Sequence, residues 1–137
     1  MCGRYKRKSD KQRIAEAFAA SVGLEELYLG PEDDIAPGSM QPVIVTNQDG
    51  ERQIELMRWG FKLPDRLQFI ARSEGIEQSK FWKDSFNQRR CIVPADAIVQ
   101  PIHDRMTTFL EPRDYKEYLA PVERPPFISS VSFRPTR

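Results

Sequence analysis

The chain has 137 residues, 39% of them hydrophobic and 30% charged. That is enough for one domain with a packed core, and the balance is that of a soluble globular chain rather than a disordered one. Lysine and arginine number 21 against 20 aspartates and glutamates, for a net charge of +1, so no global positive field marks a nucleic-acid binder and such binding must rest on a local basic face. Cys2, Cys91 and the single histidine, His103, cannot build a zinc site, and a Cys2–Cys91 disulfide is disfavoured in a reducing compartment. No stretch has the pattern of a signal peptide or a membrane span, which predicts a cytoplasmic protein.

In chain order, Met1-Cys2-Gly3-Arg4-Tyr5 comes first. Removal of Met1 would leave Cys2 with an amine and a thiol on adjacent carbons. The amine condenses with an aldehyde to an imine, and the thiol closes on the imine carbon to a thiazolidine. An α-amine titrates near ~8 and a thiol near ~8.5, so both reactive forms are partly populated at neutral pH. Gly3 allows close approach to the backbone, and Arg4 suits a phosphate beside the reacting carbon. A cysteine at position two is more often inert, buried or acylated. Arg4, Lys6, Arg7, Lys8, Lys11 and Arg13 face only Asp10, a run that reads as a solvated face and also suits an anionic ligand.

Ser9-Asp10-Lys11-Gln12 has capping-box spacing, with Ser9 at the N-cap. Ile14, Phe18 and Val22 then recur at helical spacing before Gly23, which predicts a helix over 10–22. Residues 25–40 read as irregular, ending in Asp34-Ile35-Ala36-Pro37-Gly38. Gln41–Thr46 and Arg52–Trp59 read as strands joined by the hairpin turn Asn47-Gln48-Asp49-Gly50. Residues 60–69 read as a loop around Pro64. A short helix is predicted over Gln78–Phe86, burying some of Phe81, Trp82 and Phe86. Cys91–Ala95 and Ala97–Val99 read as a buried strand broken at Pro94. A short strand over Met106–Leu110 follows, then a helix opened by Pro112 with Tyr115, Tyr118 and Leu119 on one face, and a last strand over Phe127–Phe133. Strands and helices mix without a βαβ rhythm, so the predicted class is α+β.

Five segments in order resemble the SRAP family, the SOS response-associated peptidase-like proteins that crosslink to abasic DNA. They are Met1-Cys2-Gly3-Arg4-Tyr5, Ile35-Ala36-Pro37-Gly38, Arg58-Trp59-Gly60-Phe61, Ala71-Arg72-Ser73-Glu74 and Arg90-Cys91-Ile92-Val93-Pro94-Ala95-Asp96. Ile102-His103-Asp104-Arg105-Met106 is similar to the family's histidine motif. The resemblance implies one compact SRAP-like domain over 1–137, with a mixed or antiparallel strand-rich core, flanking short helices and a basic cleft for single-stranded DNA. It implies self-removal of Met1 and capture of the abasic aldehyde by Cys2, with no metal or organic cofactor, in the DNA-damage or SOS response. His103 matches the histidine that assists sugar ring opening and crosslink reversal. Arg4, Arg72 and Arg105 match phosphate-gripping arginines, and Pro37 and Trp59 lie in segments that line the DNA. A bacterial homologue would work at the nucleoid.

The chain also departs from the family pattern. Ile70 stands where the family has an active-site asparagine. Gln100 stands where it has a catalytic glutamate, and an amide cannot exchange a proton, which forfeits ~10²–10⁴-fold of acid–base assistance. The aromatic pair expected after Trp59-Gly60 is replaced around Pro64-Asp65-Arg66, which should weaken base stacking. Only Pro101 and Ile102 separate Gln100 from His103, so a block of core is missing relative to the family. A second copy could complete the shortened sheet. Three functions follow in order of preference: an abasic-site crosslinker with impaired accessory chemistry, a non-covalent DNA-binding remnant, and an N-terminal-cysteine peptidase, which would need a base and an oxyanion hole.

Overall fold

The computed structural model describes residues 3–21, 28–99 and 109–120. Its elements are β1 (Arg4–Arg7), α1 (Lys11–Phe18), β2 (Glu32–Ile35), β3 (Met40–Thr46), β4 (Arg52–Arg58), β5 (Phe61–Lys62), β6 (Leu67–Gln68), α2 (Lys83–Gln88), β7 (Ala97–Val99) and α3 (Tyr115–Leu119), with single 3₁₀ turns at Ile76–Gln78 and Pro112–Asp114. The strands form a three-stranded sheet in the order β2-β1-β7 and two hairpins, β3-β4 and β5-β6, all antiparallel. The class is α+β.

The β3-β4 hairpin forms where the β-branched pattern places it. The Asn47 side-chain oxygen accepts from Asp49 N–H at 3.0 Å and Glu51 N–H at 2.9 Å, and Gly50 supplies φ 80°. Ile44 lies opposite Ile54, and this pair receives Ile14 of α1, Leu119 of α3 and Ile92, which makes a single bridge to Ile44. The other face of β3 is also buried: Gln41 and Val43 are 4% and 5% exposed. β3 is therefore buried on both faces, and on the second the Gln41 side chain reaches Arg7 of β1 and Glu32 of β2.

Arginines close two helix ends. Arg52 donates to the Phe18 carbonyl at 2.9 Å and lies over the Tyr115 ring, while Arg90 donates to the Ala120 carbonyl at 2.6 Å and lies over Tyr118. Each places a cation at the negative pole of a helix and spreads its planar group on an aromatic face. Tyr115 stacks on Phe18 at 5.0 Å and Leu119 is buried, so the predicted apolar face of α3 packs on α1.

Several expectations are corrected. The N-cap of α1 is Asp10, whose carboxylate accepts from Arg13 N–H at 2.9 Å; Ser9 is bound instead to Asp96. The helix ends at Phe18, four residues before the predicted end, because Ala19 turns left-handed at φ 48°. Residues 32–35, read as irregular, form β2 by pairing with β1. Residues 60–69 contain the small β5-β6 hairpin. The predicted helix over 78–86 divides into a 3₁₀ turn and α2, leaving Phe86 buried but Phe81 42% exposed. The predicted strand at 91–99 reduces to the Ile92 bridge and β7. The Phe127–Phe133 strand, Gly23 and most of the Met106–Leu110 strand lie outside the described residues.

Arg7 is the largest correction. It belongs to the basic run read as a solvated face, yet it is 0% exposed. Its guanidinium donates to the carbonyls of Ser9 and Gly30 at 3.3 and 3.0 Å, to Glu32 at 3.0 Å and to the Gln41 side chain at 3.3 Å. Gln41 in turn donates to Glu32 and Ser39. Removing this arginine strands the buried acceptors, so Arg7→Ala should destabilise the fold by about 3 kcal/mol, read as a lower urea midpoint at unchanged slope. Arg7→Lys should recover little, because an ammonium cannot reach four acceptors spread across a fork.

Asp96 fastens the opposite edge. It accepts from Lys8 N–H at 2.6 Å, Ser9 N–H at 3.0 Å and Ser9 hydroxyl at 3.1 Å, while its own N–H donates to the Lys6 carbonyl. Desolvation pushes its pKa up, but the bonds from Ser9 and Lys8, with the charge of Arg13, outweigh this and hold it below the usual value. A depressed folded-state pKa contributes stability above the unfolded value near ~3.9 that is lost as pH falls through the folded one. Asp96→Asn should therefore lower the melting temperature at pH 7, and the gap between variant and parent should close as the pH falls below about 4.

Candidate functional site

The β2-β1-β7 sheet brings three of the sequence motifs to one end. Arg4 pairs with Val99, and Tyr5 lies opposite both Ile98 and Ile35. The chain thus enters β1 just after Cys2-Gly3 at the end where β2 runs into Ala36-Pro37 and where β7 stops before Gln100. Antiparallel pairing on both sides of β1 enforces this convergence.

Ala36-Pro37-Gly38-Ser39 is a tight turn with proline and glycine at its centre. Ser39 N–H donates to the Ala36 carbonyl at 3.3 Å, and Gly38 adopts φ 93°. This is the chemistry of a type II turn, in which the third residue must be left-handed. Gly38 N–H donates to the Trp59 carbonyl at 2.7 Å, Trp59 N–H donates to Ser39 at 2.9 Å, and the Arg58 guanidinium donates to Gly38. Pro37 is therefore clamped to Trp59. The indole is half-buried, 5.5 Å from the Tyr5 ring and 6.1 Å from Phe69. Burial first, then Arg7 lowering and Glu32 raising, leaves the Tyr5 phenol pushed up to about 12. Its hydroxyl and the Arg7 Nε are buried without a protein partner among the described residues.

Arg4 does not project unengaged. Its guanidinium meets the Asp34 carboxylate at 2.5 Å, with both side chains more than half exposed. Asp34 was not among the sequence candidates; the acidity of 25–34 was the available signal, but only the pairing of β2 with β1 puts that carboxylate beside Arg4. Arg72 is exposed, in the segment between β6 and the 3₁₀ turn. Ile70 is half-buried and its carbonyl accepts from the Gln68 side chain. The sheet thus gathers Arg4, Pro37 and Trp59. Cys2, Gln100, His103 and Arg105 lie outside the described residues.

Cys91, beside the core strand, is half-buried, and burial pushes its thiol pKa up. It is kept protonated at neutral pH and is a poor nucleophile. Among the described residues, no group of three or more His, Cys, Asp and Glu could hold a metal ion, and no helix is long and apolar enough to cross a membrane.

These features describe an α+β domain whose motif-bearing segments meet at one sheet end beneath a turn-clamped tryptophan. The family model for SOS response associated peptidase (SRAP) matches residues 1–98, and the chain belongs to this family. It is 26% identical over 107 residues to the abasic site processing protein YoqW of Bacillus subtilis strain 168, covering 73% of this chain and 47% of that one, and it matches YoqW of Bacillus phage SPbeta to the same extent. The abasic site processing protein YobE of B. subtilis is 25% identical, with 73% and 48% covered. Two crystal structures from Bordetella bronchiseptica share the fold at 27% identity. One superposes with a TM-score of 0.53 over 71% of this chain and 49% of that one. The other, of a phage-related protein, gives 0.54 over 71% and 46%. The chain spans about half the length of the curated relatives it matches.

Gly60, between Trp59 and Phe61, has φ 99°, and a Cβ there would sit 3.1 Å from Leu67 and from the Cβ of Phe69. Gly60→Ala should cost about 1–3 kcal/mol through backbone strain, seen as a lower denaturation midpoint together with red-shifted tryptophan emission as Trp59 loses its seat.

Proposed function

We propose that this protein processes abasic sites in single-stranded DNA by covalent capture through Cys2. The carrying observation is the sheet register: Val99, the residue before Gln100, pairs with Arg4, which follows Cys2-Gly3, and β2 delivers Pro37 to the same end. This register supports a reading in which the segment that follows Cys2, Arg4 as a phosphate contact and the Pro37 turn act together. Relatives named as abasic site processing proteins support the same reading.

The chemistry balances without a cofactor. Hydrolysis of the Met1–Cys2 peptide bond consumes one water and releases methionine. The freed α-amine adds to the ring-opened aldehyde and expels one water, giving an imine. The Cys2 sulfur then adds to the imine carbon, its proton passing to nitrogen, and a thiazolidine closes. Positioning of the sugar by Arg4 and Arg72 through the flanking phosphates lowers the entropic cost of this condensation. His103 serves as the proton carrier for sugar ring opening, since an imidazole can both donate and accept a proton. Gln100 cannot move a proton and Ile70 cannot donate a hydrogen bond, so Met1 removal and crosslink reversal are slow while capture persists. Trp59 and Pro37 pack against the nucleotide beside the lesion, and Arg105 adds a phosphate contact.

Intact mass of the purified protein, before and after incubation with an oligonucleotide carrying one abasic site, tests this. The expected result is loss of one methionine, then a gain equal to the oligonucleotide less one water. Cys2→Ala should abolish the gain, and Cys91→Ala should retain it. A protein that keeps Met1 and gains no mass, yet binds DNA with strong salt dependence, would instead be a non-covalent remnant.

A further inference from the structure

The structure assembles an aromatic patch that the motifs do not account for. Phe61 of β5 contacts Phe81 and Trp82, each with ring centroids 5.6 Å away, and Phe81 and Trp82 are 4.7 Å apart. All three pairs are edge-to-face, with interplanar angles of 89°, 70° and 83°. Phe61 and Phe81 remain 46% and 42% exposed. Three large rings in mutual contact at a surface form a binding feature rather than scattered exposure.

The patch is held rigidly. β5 is pinned to β6 with Phe61 opposite Gln68, and Leu63 N–H donates to the Arg66 carbonyl at 2.8 Å to close the turn. On the other side, Ser79 fixes the Phe81-Trp82 segment: its hydroxyl accepts from Trp82 N–H at 3.2 Å and its carbonyl from Lys83 N–H at 3.0 Å. The charge around the rings is mostly positive. Lys62 follows Phe61, and Lys80 and Lys83 bracket Phe81-Trp82, all three exposed. Asp84 is the acidic neighbour in sequence, while Asp65 is paired with Arg66 at 3.2 Å. Phe61 lies two residues from Trp59, at most about 7 Å along the chain.

We infer that Phe61, Phe81 and Trp82 form a stacking platform for unpaired nucleobases, with Lys80 and Lys83 on the adjoining phosphates. Two exposed rings backed by a half-buried indole, with exposed lysines next to them in sequence, suit a ligand with π-faces and a polyanionic backbone, and base–aromatic stacking is sequence-tolerant. The platform supplies the stacking surface expected after Trp59-Gly60, built from two distant segments instead of one. This inference rests on the DNA-processing reading and adds a second contact region to it.

The test uses the full chain and a single-stranded oligonucleotide without any abasic site, so covalent capture plays no part. Fluorescence anisotropy gives the affinity, and abasic crosslinking by the unaltered protein is measured in parallel. Each base stacked on an aromatic side chain is worth about 1–3 kcal/mol, or roughly five- to 150-fold in affinity. Phe81→Ala and Phe61→Ala should each weaken binding by at least about fivefold. Phe81→Leu, which keeps apolar bulk without a flat ring, should weaken it nearly as much, and Phe81→Tyr should restore it. Binding left intact by Phe81→Leu, with crosslinking by the parent protein present, would overturn the platform while leaving the proposed function standing. A parent protein that crosslinks abasic DNA but does not bind unmodified strands would overturn it too. So would a change in oligomeric state without a change in affinity, which would make the patch a contact between copies. Absent crosslinking alongside ring-dependent binding would uphold the platform and overturn the covalent reading.

Discussion

The buried guanidinium of Arg7 is the constraint on which the arrangement depends. It lies on the face of β1 that meets β3, and its donors reach the chain before β2, a side chain on β2 and a side chain on β3. β1 is only four residues long, and a strand of that length holds its register weakly. The fork geometry of Arg7 fixes it: a slip of one residue would turn the guanidinium to the opposite face. With Arg7 inward, Tyr5 is also inward and Arg4 is outward. The direction in which Arg4 points is therefore set three residues away, by a charge that never meets solvent. Glu32 retains about half of its exposure, so the pair escapes the full desolvation cost of two buried ions.

The two ends of β1 are fastened by different means. Near Arg7 the tie is a charged side chain inserted between layers, and just beyond it Asp96 gathers the N–H groups of Lys8 and Ser9. Near Arg4 the ties are the pairing with β7 and the exposed contact to Asp34. The motif-bearing end is thus tied by backbone pairing to both neighbours, with buried Tyr5 opposite Ile98 and Ile35.

What the sequence disclosed follows from whether a signal is local. The β3-β4 hairpin was legible from Gln41 to Trp59 because β-branched alternation and an Asn-to-Gly turn are both short-range. The Pro37-Gly38 turn was legible for the same reason. β2 was not, since Glu-Asp-Asp has poor strand propensity and becomes a strand only by lying beside basic β1. Arg7 was misread because a cation within a run of cations has no local mark of burial. Which of Phe81, Trp82 and Phe86 would be buried was not legible, because apolar residues in a short window fit either burial or display; Phe86 is buried, and contact with Phe61 from another hairpin gathers the other two at the surface. At the candidate site, motifs identified Arg4, Pro37 and Trp59, while Asp34 emerged only from strand pairing.

Asp34 changes how Arg4 is understood. A guanidinium facing water alone would offer an open anion site, but here a carboxylate occupies that position. Both partners are more than half exposed, and such a pair is worth only about 0–1 kcal/mol. A phosphate presents the same geometry to the fork, and DNA binding also releases condensed counterions, so exchanging carboxylate for phosphate costs little for a polyanion and is unfavourable for a lone anion. On the proposed reading, Asp34 would then filter ligands by charge, holding Arg4 in a defined direction until a strand whose other phosphates and bases are engaged elsewhere displaces it. The chain's near-neutral balance agrees with this. With no general positive field to draw in nucleic acid, the proposed selectivity for DNA would have to come from several weak contacts made together along one surface.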